Sequence, residues 1–337
     1  MAIHTPLCDL FQIEHPIIQA GMGRFTSAEL VAAACNAGAL GNLGANGRSA
    51  AELRDQIAAI RQRTDRPFAV NFLISDFDEE SFAAALEARV PVMSFALGAP
   101  SDHVRRAQAI GAVVLHQVHT VEQARQAAEQ GVDALIAQGG EAGGFGQYVG
   151  VMALVPQVVD AVRPLPVVAA GGIADGRGLA AALLLGAAGV NIGTRFLATV
   201  EAPIPEGYKQ AIVAARSEDT VKVEFWNDVM PAPGLGGYGT VPRAIRTPFS
   251  DRWLGRRGEV AQRAGELRDE LFTALPQGRL HEYVPFAGQT VGLIREILPV
   301  EQVVRRIVAE AEEALQRGAG LVTPAAGSPA TGASLPT

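Results

Sequence analysis

Short apolar runs recur along the first two thirds of the chain. They fall at residues 16–20, 40–43, 68–73, 92–96, 112–117, 134–138, 167–170 and 189–192. Each is nearly continuous in Val, Ile, Leu, Phe and Ala, the mark of a strand covered on both faces in a parallel sheet. Between them lie stretches with helical spacing, such as SAELVAAACNAG, SAAELRDQIAAIRQRT, TVEQARQAAEQG and GRGLAAALLLG. Their ends are marked. Gly38, Gly111, Gly131 and Gly186 follow helical runs where a left-handed residue is wanted. Thr26-Ser27 and Thr120 stand where N-caps are wanted.

Strand and helix alternation of this kind predicts βαβ units. Eight of them without a break in composition predict an α/β fold of (β/α)8 type, a TIM barrel. An open, doubly wound sheet is the rival architecture. The pattern stops after Thr199, and residues 201–285 hold both tryptophans and many of the prolines. They predict a smaller inserted substrate or lid region, mostly irregular or helical. A last barrel helix is expected over 301–316. The expected division is therefore a barrel of residues 1–200 plus 286–316, the insertion 201–285, and a flexible Ala/Gly/Ser/Pro/Thr tail over 317–337.

Composition narrows the function classes. Twenty-eight basic residues against 35 acidic ones form no basic stripe, so nucleic acid is not an expected partner. The apolar segment Leu179 to Gly193 is interrupted by Asn191 and two glycines, which makes it a buried helix and strand rather than a membrane span. The opening MAIHTPLCDLFQIEHP lacks a basic start followed by an apolar run, so no signal peptide is expected. Cys8 and Cys35 have no metal-ligand spacing and read as reduced core cysteines. These features together predict a cytoplasmic protein without a metal site.

Barrels of this type bind ligands where the strands end. Gly21-Met22-Gly23 follows the first strand and lets the backbone approach a flat ring. Gly171-Gly172 follows the seventh, with a helix starting near Asp175 to Arg177, and Gly193-Thr194 follows the eighth. Two such loops are where many barrels hold a phosphate. Asn71, Gln117 and Gln138 end the third, fifth and sixth strands, offering neutral donors and acceptors on one mouth. Gly234-Leu235-Gly236-Gly237-Tyr238-Gly239 matches a dinucleotide fingerprint only by letter. MPAP precedes it instead of a strand, and TVPRAIRT follows instead of a helix.

The segments HPIIQAGMG, PFAVNFL, QGGEAGGFG, AAGGIADGRGLAAALLLGAAGVNIGTRFLAT, VPRAIRT and FAGQTVGLI resemble the nitronate monooxygenase family, formerly called 2-nitropropane dioxygenases. Flavin-dependent enoyl-acyl-carrier-protein reductases of the second type share this pattern. The resemblance implies a barrel that binds flavin mononucleotide (FMN). It places Gly21, Met22, Gly23, Asn71 and Gln117 at the flavin ring, and Gln138 and Gly143 in the strand 6 loop. Gly171, Gly172, Gly193 and Thr194 would hold the phosphate. The family often has lysine where Gln117 stands. It usually reads EAGGH in the strand 6 loop, with a catalytic histidine; here the loop is Glu141-Ala142-Gly143-Gly144-Phe145. Phenylalanine moves no proton. His119 is the candidate replacement, with Phe145 and Tyr148 as candidate pocket residues and Arg195 as a structural ion-pair partner.

Three functions follow. The first is oxidation of alkyl nitronates with dioxygen, where a preformed anion needs no base. The second is NAD(P)H-dependent reduction of an enoyl thioester, of CoA or acyl-carrier protein, with Phe145 widening the apolar wall. The third is a flavin-binding protein that has lost catalysis. A homodimer is the expected assembly.

Overall fold

A computed structural model describes residues 3–231 and 239–322. Strands β1 (Ile17–Gln19), β2 (Leu40–Gly44), β3 (Phe68–Leu73), β4 (Val92–Ala96), β5 (Val113–Val118), β6 (Ala134–Gln138), β8 (Val167–Ala170) and β9 (Gly189–Ile192) pair in parallel, and β9 closes back onto β1. The closed barrel excludes the open sheet. The predicted strand runs are borne out to within a residue or two.

Alternation along each strand sorts side chains into two cores. Ile17, Val70, Phe95, Val114 and Leu135 point outward to the helices. Ile18, Leu40, Ala69, Leu115, Ile136 and Val168 point inward. A short helix, Pro6–Phe11, which the sequence pattern did not reveal, packs Leu7, Cys8 and Phe11 onto this inner cluster and plugs the barrel floor. Both cysteines are buried and free, and burial pushes the Cys35 thiol up to about 11. The last helix runs Val300–Ala319, so the first residues of the expected tail are helical; 323–337 lie outside the described residues. It lies against the helix Gly176–Leu184, and Gly176 makes room for the contact, since a Cβ there would overlap Ala311 and Glu310. Among the described residues no helix is long and apolar enough to cross a membrane.

The insertion is mostly helical or irregular, as expected, and carries two short strands besides. β10 (Thr220–Lys222) and β11 (Val241–Ile245) pair antiparallel, and β11 pairs again with β7 (Gly144–Gly146), a short strand inside the loop that follows β6. Behind this sheet lies the long helix Arg257–Ala274. Val223, Phe225, Trp226, Phe249, Trp253 and Leu271 form a separate core there. Its strands are too short and too widely separated in sequence to show a periodic signal. The fingerprint-like glycine run is outside the described residues except for Gly239.

Candidate active site

A cavity of about 440 Å³ opens where the barrel strands end. Its floor is a ring of neutral polar groups. Asn42 comes from β2, Asn71 from β3, Ser94 from β4, Gln117 from β5, Gln138 from β6 and Asn191 from β9. One side chain per strand reaches the same mouth because inward positions repeat every second residue. Asn71 Nδ2 donates to Ser94 Oγ at 3.2 Å, and Gln138 Nε2 donates to the Phe145 carbonyl at 2.7 Å. The Oδ1 atoms of Asn42 and Asn191 are buried without a donor. An unmet buried acceptor is costly, so each is a place where a bound donor would be stabilised.

The walls are glycine where a ligand must come close. A Cβ on Gly21 would overlap Asn71, and one on Gly143 would lie 2.6 Å from the Ala287 carbonyl carbon and the Gly288 amide nitrogen. Gly23, Gly171 and Gly172 have positive φ of 54°, 91° and 71°. All five line the cavity, together with Met22, Gly193 and Thr194. Thr194 Oγ1 accepts the Gly288 amide at 3.0 Å, tying the β9 loop to the segment after the insertion. The structure therefore brings the predicted cofactor residues to one surface.

The helix expected to help with a phosphate does so less than its position suggests. Asp175 accepts the amides of Arg177 and Gly178 at 3.1 and 3.3 Å, and Glu310 accepts that of Gly176 at 3.0 Å. These are the donors an anion would use. An anion is left with the glycine loops themselves. Arg195 does not reach it either. Its Nη2 donates to the carbonyls of Ala198 and Glu296 at 2.6 and 2.9 Å, so it ties down a loop through backbone oxygens rather than an ion pair.

His119 is corrected by the structure. It is completely buried and absent from the cavity wall. Burial pushes its imidazole down to about 4, with the Lys222 charge acting in the same direction and the Gln138 backbone opposing. Two residues earlier on β5, Gln117 faces the cavity while His116, its neighbour, points into the helical layer, buried and pushed down to about 3. Tyr148 is corrected as well. It is 61% exposed and lies outside the cavity, its hydroxyl 3.5 Å from Glu224. Phe145 is in the wall, with its ring 6.0 Å from that of Phe286, which in turn meets Trp226 at 5.4 Å.

The only charged side chains lining the cavity among the described residues are Arg24 and Glu141. Both are engaged. Arg24 pairs with Glu52 at 3.1 Å, and the Glu141 carboxylate accepts the Val151 amide at 3.0 Å. Among the described residues no imidazole lines the cavity. Asn42, Ser94, Asn191, Phe286 and Thr290 are site residues that the sequence reading missed. For Asn42 and Asn191 the signal was present, as an amide inside an otherwise apolar strand run (LGNLG and GVNI).

Comparison with known proteins agrees with this geometry. The family model described as nitronate monooxygenase matches residues 4–86 and 78–310. The chain is 42% identical over 224 residues to the (3aS,4S,5R,7aS)-5-hydroxy-7a-methyl-1-oxo-octahydro-1H-indene-4-carboxyl-CoA dehydrogenase of Mycobacterium tuberculosis, a match covering 66% of this chain and 63% of that one. It is 32% identical over 339 residues to the protein of the same name from Rhodococcus jostii, covering 92% of this chain and 96% of that one. Among solved structures, FabK from Thermotoga maritima superposes with a TM-score of 0.86 at 37% identity, over 95% of this chain and 100% of that one.

Proposed function

The chain belongs to the nitronate monooxygenase family, and from that premise we propose that it is an FMN-dependent oxidoreductase acting on an acyl thioester with a bulky apolar acyl group. The cofactor assignment is supported by the glycine cradle and by the two unmet amide acceptors, Asn42 Oδ1 and Asn191 Oδ1. Gly21, Met22 and Gly23 with Asn71 and Gln117 would face the ring. Gly171, Gly172, Gly193 and Thr194 would hold the phosphate. FMN, when bound, supplies the site's capacity to take up and pass on reducing equivalents.

The observation that carries the thioester reading is the wall opposite the amide ring. Where relatives of the EAGGH pattern place an imidazole, Phe145 meets Phe286 edge-on, Phe286 in turn meets Trp226 edge-on, and Leu275, Leu97 and Leu197 continue the apolar lining. Such a wall fits an acyl body and offers nothing to a small, strongly hydrated anion. The amides polarise a carbonyl without adding charge. The CoA-thioester dehydrogenases among the relatives point to the same substrate class.

A second reading, oxidation of an alkyl nitronate by dioxygen, is favoured by a different observation. Among the described residues, Arg24 and Glu141, the charged groups lining the cavity, are already hydrogen-bonded, and a nitronate arrives already deprotonated. Anaerobic stopped-flow spectroscopy of the purified flavoprotein separates the two. Bleaching by NADH or NADPH, reversed by an enoyl thioester, is the expected result. Bleaching by a nitronate alone, with neither pyridine nucleotide effective, replaces the first reading with the second.

A further inference from the structure

The three-stranded sheet places two cations directly opposite each other. In the β10–β11 pairing Lys222 is in register with Arg243, and Arg243 is in register with Gly144 on β7. Side chains paired in this way share one face of the sheet. Like charges directly across a ladder are destabilising, and partial burial makes the repulsion worse. Neither cation has a carboxylate within ion-pair distance among the described residues. The Glu141 carboxylate, beyond ion-pair distance, favours both charges while accepting the Val151 amide at 3.0 Å.

Both groups are only part satisfied. Lys222 Nζ donates to the carbonyls of Gly146 and Val241, each at 2.9 Å, which leaves its third proton. Arg243 Nε donates to the Gly140 carbonyl at 3.1 Å and Nη1 to Thr220 Oγ1 at 3.3 Å, which leaves its Nη2 edge. The Tyr148 ring, 5.6 Å from Nζ, closes one side. The third member of the row, Gly144, lines the cavity, and its Cβ direction meets open space. Adjacent strands lie about 4.8 Å apart, so Arg243 and Lys222 are about one and two strand spacings from the cavity rim.

We propose that Lys222 and Arg243 form a binding station for the diphosphate of an extended substrate or co-substrate whose reacting end lies in the cavity. A diphosphate supplies the missing negative charge and accepts the unused donors. It relieves a repulsion that the more distant Glu141 offsets only in part at Lys222. The burial that depresses the Lys222 ammonium to about 8, with Arg243 adding to the effect, is relieved by the same anion. CoA thioesters and pyridine nucleotides both carry a diphosphate, so the station deepens the thioester reading while resting on separate residues.

The test is calorimetric titration of the purified flavoprotein with inorganic pyrophosphate, CoA and NADPH, for the wild type and for Lys222→Gln, Lys222→Arg and Lys222→Gln/Arg243→Gln. Wild type is expected to bind pyrophosphate with a salt-dependent affinity. K222Q, which keeps a donor for the two carbonyls, weakens it roughly tenfold, as expected for one charge-assisted contact. The double variant weakens it further and K222R restores it. Without ligand, K222Q melts no lower than wild type, because it removes a repulsion. A lysine serving only as a clamp for Gly146 and Val241 gives the opposite sign, a lower melting temperature with unchanged pyrophosphate affinity, and that result overturns the proposal, as does failure of wild type to bind pyrophosphate. Charge-dependent binding shared by CoA assigns the station to the thioester. Charge-dependent binding shared by NADPH but not CoA keeps the station, assigns it to the nucleotide, and removes support from the thioester reading alone.

Discussion

The barrel mouth and the inserted sheet meet at one cavity but are built on different principles. The barrel strands contribute neutral groups only, a ring of amides and one serine, and their loops add glycines where the backbone must approach, with Arg24 and Glu141 held by other partners. The insertion, Phe286 just after it and the β7 segment paired to it contribute the aromatic wall and two cations that have no carboxylate within ion-pair distance among the described residues. A neutral cradle holds a cofactor without fixing which reaction follows, because it favours no particular protonation state. On the proposed reading, the aromatic and charged groups discriminate between substrates. That reading assigns cofactor binding to the scaffold and substrate choice to the part attached to it.

The sharpest way to break this division is Gly21→Val. Its added atoms overlap Asn71 in the ring of amides. The protein is expected to keep its far-ultraviolet circular dichroism but to purify without bound flavin, with cofactor affinity reduced at least 100-fold. Retention of flavin at wild-type affinity means that this cradle does not hold it. Phe145→His acts on the other half. It introduces a proton acceptor beside the cavity while leaving the amides intact. Turnover of neutral nitroalkane is expected to rise by about 100-fold, the usual scale of general-base catalysis, and to acquire a dependence on a group titrating near 6.5. A flat pH profile with unchanged turnover shows that position 145 does not face the reacting atoms.

The smallest effect sharpens the contrast between the cavity and the layer behind it. His116, His119 and His103 are buried, and burial is the leading cause that lowers them to about 3, 4 and 4. They are neutral when folded, whereas in the unfolded chain they take up protons near 6.5. Their contribution is therefore complete above pH 6.5 and is lost as pH falls from there towards 4 and 3. Each costs up to about 1.4 kcal/mol per pH unit across that window. His116→Gln should flatten the fall of the urea midpoint between pH 7 and pH 5. An unchanged slope in that variant means that His116 is not buried as a neutral group.

The same contrast explains what was legible in the sequence. In the barrel, a local period of two decides which face a side chain takes, so Asn71, Gln117 and Gln138 could be assigned to one mouth from the strand runs alone. The glycine pairs were legible for a similar reason, since each directly follows a strand. His119 was misplaced because it lies just past the end of β5, where alternation no longer applies, and is buried beside the Gln138 backbone rather than in the cavity wall. Tyr148 sits near Phe145 in sequence, but β7 separates them, with Phe145 held on the core side of the small sheet and Tyr148 beyond its end. The sheet itself was invisible. Its strands are three to five residues long, and in the chain β7 is separated from its partner β11 by five α-helices and three strands. Asn42 and Asn191 were visible as amides within apolar runs, but an isolated buried amide is more often satisfied by the backbone than offered to a ligand.

β7 belongs to the barrel by chain connectivity and to the insertion by hydrogen bonding. For anyone recombining members of this family, the exchangeable part is consequently not the continuous segment between β9 and the last helix. A chimera that takes β10 and β11 from one parent and residues 144–146 from another joins an edge to a strand it was not matched with, and moves the wall away from the cations. Substrate preference should transfer only when the loop after β6 travels with the insertion, so the natural unit of inheritance is discontinuous in sequence and continuous in the sheet.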